Sequence, residues 1–184
     1  MKKHFFIYSL LVLFVLSACD NTLRLEEKPG GSPIETLVRE IPDIKKVYRS
    51  TSNDIREYII APSVNAIPFN VEEVSMHIND TIDAVSLAYF GEDKHVKVAV
   101  YEYRGDIADG NQAVKLDNNI TGYYNNDELL KIKSLRWRHP NFVVTGVFYK
   151  IGLVTFKKNT YHNTDNALTK QDAINIANSI IDQY

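Results

Sequence analysis

Residues 84–103 read AVSLAYFGEDKHVKVAVYEY, and their pattern decides the fold class. Apolar residues recur at every second place from Ile82 to Phe90 and again from Val96 to Tyr103, a period of two that predicts strands. Gly91-Glu92-Asp93-Lys94 between them is a four-residue turn, which makes the pair an antiparallel hairpin. In the second strand Val96, Val98 and Val100 share one face, with Glu102 at its end, while Lys97, Ala99, Tyr101 and Tyr103 share the other. The valine face is the expected core.

Further strands are expected at Gln112–Leu116, Leu129–Arg138, Phe142–Lys150 and Ile151–Lys157, separated by Asp117-Asn118-Asn119, His139-Pro140-Asn141 and Gly152. Upstream, Tyr58-Ile59-Ile60 and Val71–Ile78 are candidate strands around Pro62 and Pro68, where proline confines a strand to an edge or a bulge. Near the end of the chain Thr169 precedes KQDAINIANSIID, with Asp172 at the capping-box spacing, so a helix should run to about Ile181. Ala173, Ile176, Ala177 and Ile180 form its apolar stripe. Ser32-Pro33-Ile34-Glu35 starts a helix that runs to about Glu40; Pro42 then interrupts it, Ile44–Tyr48 continues a second helical turn, and Ser50–Asp54 breaks the pattern. The expected fold is α+β: an antiparallel meandering sheet with an N-terminal helix and a C-terminal amphipathic helix packed on it, in one domain over residues 33–184.

The sequence before that domain is of a different kind. Met1-Lys2-Lys3-His4 is a basic start, Phe5–Leu16 is a mostly apolar run, and Ser17-Ala18 are small residues before Cys19, the chain's only cysteine. This is the layout of a secretory leader over residues 1–18, and the run is shorter than the ~20 apolar residues a transmembrane helix needs. Leu16-Ser17-Ala18-Cys19 resembles the lipobox of bacterial lipoproteins at all four positions. The resemblance implies that the Cys19 sulfur carries a diacylglycerol and becomes the first residue of the mature chain. Two acyl chains hold a protein on a membrane stably where one does so only marginally. Residues 19–32, with Pro29-Gly30-Gly31, read as the lipidated cysteine followed by a flexible tether.

A second resemblance spans about Tyr58–Ile181. YIIAPSVNAIPFNVEEVSMHI, AVSLAYFGEDKHVKVAVYEY, GVFYKIGLVTF and LTKQDAINIANSII are similar to a domain of Gram-positive cell-surface and sporulation-associated lipoproteins. In that family a Trp-bearing strand, here with Trp137, precedes a Gly-x-x-Tyr strand, here Gly146-Val147-Phe148-Tyr149, while Asn178 stands where the family has a small or acidic residue. The resemblance implies an extracytoplasmic α+β domain and carries over no catalytic residue.

No residue pattern points to catalysis or to a resident cofactor. His77, His95, His139 and His162 lack metal-ligand spacing, and Asp106 and Asp109 lack the alternation and closing glutamate of a calcium loop. There is no GxSxG elbow and no glycine-rich phosphate cradle. With a formal net charge of −2, which becomes more negative once Lys2 and Lys3 are removed, the chain is not built for nucleic acid. The one candidate binding edge is Leu135-Arg136-Trp137-Arg138-His139. In a strand, Arg136 and Arg138 point to one side and Trp137 to the other. Either Trp137 packs in the core and the arginines are solvated, or Arg136, Trp137 and Arg138 contact an anionic envelope polymer or a partner carboxylate. Tyr101, Tyr103, Tyr123 and Tyr124 are candidates for an aromatic surface.

The expected protein is therefore a non-enzymatic binding or accessory module, held on the outer face of the cell membrane through Cys19 and facing an envelope component or a protein partner. The alternatives from other classes are a small extracytoplasmic enzyme acting on envelope material and a sensor subunit of a membrane complex.

Overall fold

Two prolines set the first two helices. Ser32 caps α1 (Pro33–Glu40): its hydroxyl accepts from the Glu35 N–H at 3.3 Å, and the Glu35 carboxylate accepts from the Ser32 N–H at 3.4 Å. Pro42 opens α2 (Pro42–Ser50) at its first helical position, where a missing N–H costs nothing. The expectation that Pro42 interrupts a helix is thus corrected: the break falls on extended Ile41, and Pro42 restarts the helix. A single turn, α3 (Asn53–Arg56), follows, and Arg56 donates to the carbonyls of Tyr48, Arg49 and Thr51, closing the C-terminal end of α2.

The computed structural model describes residues 23, 25, 31–79, 84–102, 107, 111–130, 132–140, 147–157, 160–163 and 168–184. Its strands are β1 (Glu73–Asn79), β2 (Ala84–Phe90), β3 (Lys94–Glu102), β4 (Gln112–Lys115), β5 (Thr121–Asp127), β6 (Ile132–Arg138), β7 (Val147–Lys157) and β8 (Thr160–Asn163). The order is β1-β2-β3-β7-β6-β5-β4, antiparallel throughout, with β8 paired to the outer end of β7. Two meanders, β1–β3 and β4–β7, therefore meet at a seam between β3 and β7.

The α+β architecture is as the sequence leads one to expect, but several segments differ in detail. Tyr58-Ile59-Ile60 forms no strand; Ile59 is buried under the sheet instead. Residues 128–130 turn, so β6 begins at Ile132 rather than Leu129. Ile151–Lys157 continues the preceding strand without a break, because Gly152 sits in extended backbone within β7. The expected starts at Ile82 and Phe142 lie outside the described residues.

The side chains of one sheet face form the core. Val85, Leu87 and Tyr89 lie opposite Val100, Val98 and Val96, which lie opposite Tyr149, Ile151 and Leu153; Leu135 and Trp137 continue the layer. All of these are buried. Over this face lies α4 (Lys170–Ile181), burying Ala173, Ile176, Ala177, Ile180 and Ile181. Its capping box is formed, Thr169 Oγ1 accepting from the Asp172 N–H at 3.1 Å and Asp172 Oδ2 accepting from the Thr169 N–H at 2.6 Å. Past α4 the chain is fastened again. Trp137, with 0% exposure, stacks on Tyr149 at 5.3 Å and donates from Nε1 to the Tyr184 hydroxyl at 3.0 Å.

The leader and Cys19 lie outside the described residues, and no described helix is long and apolar enough to cross a membrane. The stretch expected to be a tether is docked in part: the Leu23 N–H donates to the Val71 carbonyl at 2.7 Å, and Leu23 and Leu25 pack against the core.

If α4 is held by both its apolar stripe and its cap, the two contributions should separate in urea denaturation. Ile176→Ala should cost about 2–5 kcal/mol, as expected for a fully buried branched side chain. Thr169→Ala should cost about 1 kcal/mol, as for loss of a cap. Equal small losses would mean that α4 is not packed as described.

Candidate functional site: a cationic trough on the open sheet face

The sheet face turned away from α4 is built from small residues beside long ones. Ala84, Ser86 and Ala88 on β2 lie opposite Tyr101, Ala99 and Lys97 on β3. Lys97 and Ala99 lie opposite Gly152 and Lys150 on β7, which in turn lie opposite Ser134 and Arg136 on β6. Because Ala84, Ser86, Ala99 and Gly152 reach only a short way out of the pleat, their taller neighbours stand around a hollow. The result is a trough of about 460 Å³, a volume in the range of small-ligand sites, running along the strands from Tyr101 to His95, Val154 and Ile132. Gly152 is the lowest point of its floor, for a Cβ built there meets no atom within 4 Å.

Its electrostatics are one-sided. Lys97, Lys150 and Arg136 form a diagonal row across three adjacent strands, each within the reach of cross-strand neighbours. None of the three forms an ion pair with a carboxylate among the described residues, where the pairs are Arg39–Glu40 and Lys94–Asp93. Partial burial holds the Lys150 ammonium below the ordinary lysine range, and the charges of Arg136 and Lys97 push it the same way. His95, which stacks on Phe90 at 4.7 Å, is lowered by burial and then by Lys97. Arg136 donates to Asn111 Oδ1 at 3.1 Å, and its Nε is buried with no hydrogen-bond partner among the described residues. An anion laid over this row removes like-charge repulsion and gains charge-assisted hydrogen bonds. An apolar or ring-shaped body fits the floor.

The residues singled out in sequence divide between the two faces. Trp137 is core, whereas Arg136 and Arg138 point to the open face; Arg138 lies over the Phe148 ring at 4.7 Å, and Arg136 flanks the trough without lining it. Tyr124 is buried on the core side, Tyr101 lines the trough, and Tyr103 lies outside the described residues, as do Asp106 and Asp109. His77 is exposed and bonded to Ser75 Oγ at 3.1 Å, and His139 is buried against Tyr184 at 4.4 Å. No group of three or more metal-ligating side chains forms among the described residues. Missed in sequence were Lys150 and Gly152. Their alternation within β7 was legible, but their pairing with Lys97 depends on a register between distant strands. No protein-family profile, curated protein or solved structure matches the chain.

The row of cations makes a pH prediction. In the folded chain Lys150 gives up its proton at a lower pH than in the unfolded chain, so between those two values the unfolded state binds more protons. Stability should therefore rise as pH rises from the folded value toward 10.5, the ordinary lysine value. Lys97→Gln should move the Lys150 titration back upward and flatten that rise. Side-chain NMR titration of Lys150 in both proteins checks this, and an unmoved titration would show that the two lysines do not interact.

Proposed function

We propose that this chain is a lipid-anchored extracytoplasmic binding module, without chemistry of its own, that holds an anionic segment of an envelope component or of a partner protein in the trough. The carrying observation is the row Lys97, Lys150 and Arg136, three cations on adjacent strands beside a 460 Å³ hollow with no acid paired to them among the described residues. A sheet face serving stability alone gains by alternating its charges, since like charges opposite one another destabilise a sheet. The lipobox resemblance at Leu16–Cys19 supports the location.

Crosslinking in living cells followed by pull-down tests the binding site, using Gly152→Phe to fill the trough and Lys97→Glu with Lys150→Glu to reverse its charge. Gly152→Phe should leave the melting temperature unchanged or higher, because the floor is open there and an aromatic residue suits a strand better than glycine. Both variants should lose most of the crosslinked partner. Recovery of the same partner in equal yield from both would rule the trough out as the contact. Location is tested separately. Labelling with a palmitate analogue should mark the wild-type chain and not Cys19→Ala, and that variant should leave the pattern of lipid-anchored membrane protein.

A further inference from the structure

The β5–β6 turn carries two leucines in the open. Leu129 is 91% exposed and Leu130 56%, and among the described residues only Ile78 and Tyr184 join them as exposed large apolar side chains. The turn is built rather than ragged: Asp127 Oδ1 accepts from the Leu130 N–H at 2.8 Å, which fixes Leu129 and Leu130 at its tip. Water gains nothing from such a pair, and neighbouring apolar exposure of this kind marks a contact surface.

The register shows which end of the sheet the turn occupies. Ile132 pairs with Asp127, and the next residue, Lys133, pairs with Leu153 near the C-terminal end of β7. Leu153 lies opposite Val96, one residue beyond His95, which pairs with Phe90, and Phe90 pairs with Glu73 at the start of β1. Val71, just before β1, holds Leu23 by the 2.7 Å hydrogen bond. The leucine turn and the docking point of Leu23 are therefore at the same end of the sheet, four strands apart, or roughly 20 Å at the spacing of paired strands.

Resting on the proposed lipid at Cys19, we infer that the Leu129–Leu130 turn is a second membrane contact, inserted into the interface of the bilayer that carries the anchor. Only four residue steps separate Cys19 from Leu23, at most about 14 Å of extended chain. A leash that short keeps this end of the sheet over the lipid surface. The leucine pair is then within reach of the acyl boundary, where apolar side chains enter to about 5–10 Å. Glu128, exposed beside the pair, stays at headgroup level. Two points of contact at one end fix the orientation of the domain, which one lipid anchor alone does not.

The full chain suits a direct test, because its only native cysteine is consumed by the lipid and an engineered one is free for labelling. Leu129→Cys carries an environment-sensitive fluorophore, Lys115→Cys on β4 is the control near the opposite end, and both are reconstituted in vesicles of phosphatidylethanolamine and phosphatidylglycerol. The label at 129 should shift to the blue and lose most of its emission to spin-labelled lipid, while the label at 115 stays in water. Adding Leu130→Asp to the Leu129→Cys chain should return its label to water with the lipid still present by mass spectrometry. A lipidated chain whose 129 label remains in water overturns this inference alone. A label shielded only in native membranes marks a protein contact at the turn and likewise overturns the bilayer assignment. An N-terminal peptide without lipid overturns the anchoring proposal, and this inference falls with it.

Discussion

The pairing of β3 with β7 is the constraint on which the rest depends. It joins two meanders that are otherwise separate sheets, with an unbroken register from Lys94 opposite Thr155 to Glu102 opposite Val147. Because side chains alternate faces, a slip of one residue would turn Tyr149, Ile151 and Leu153 out of the core and bring Lys150 into it. The cost of burying that ammonium beside Val98 and Leu135 is far above the cost of any surface contact. The same register that protects the core brings Lys97 against Gly152 and next to Lys150. Core and trough are thus two faces of one decision, and neither can shift without the other.

How far each element was legible in the sequence follows from how local its cause is. The β2–β3 hairpin and α4 depend on alternation, a turn and a capping box, all within a few residues, and they stand as the sequence suggests. Pro42 shows a local signal with two meanings, since proline both ends one helix and begins the next, and only the extended conformation of Ile41 decides between them. Thr121–Asp127 gives a weak pattern because Gly122 occupies a core-facing position, where a Cβ would press on Leu116 and Leu135 within 3.0 Å. Tyr58-Ile59-Ile60 has strand-forming residues, yet tertiary packing sets them under the sheet, where the Tyr58 carbonyl accepts from the Tyr149 hydroxyl at 2.9 Å. The division of Arg136 and Arg138 from Trp137 was legible by parity. The trough was not, because it is made by residues on four strands whose order, with β7 in the middle, is not written in any local segment.

The open face also shows where local stability has been set aside. Alanine, serine and glycine are poor strand residues compared with the valines on the opposite face. Placing Lys97, Lys150 and Arg136 on neighbouring strands adds repulsion that one glutamate would remove. Rules that agree along most of the chain are broken together at this one place, which is the pattern expected of a functional site rather than of a solvated surface. The buried lock on the other side, where Trp137, Tyr149, His139 and Tyr184 stack and share hydrogen bonds, breaks no such rule.

The two proposed contacts constrain each other through Ile132. This residue lines the trough, and it follows the Leu129–Leu130 turn by two positions in the chain. If the turn enters the interface, the trough opens at one end near the headgroups and runs along the strands away from the lipid toward Ala84 and Tyr101. Its cations then lie partway along that path, above the surface and outside the hydrocarbon. A ligand that reaches Lys97 and Lys150 from the bilayer side passes Val154 and Ile132 first, so it must have an apolar portion ahead of its anion. One that comes from the aqueous side meets Tyr101 first and needs none. Anchoring geometry and ligand chemistry are therefore a single question in this molecule, because the orientation at the membrane fixes which end of the trough a ligand encounters.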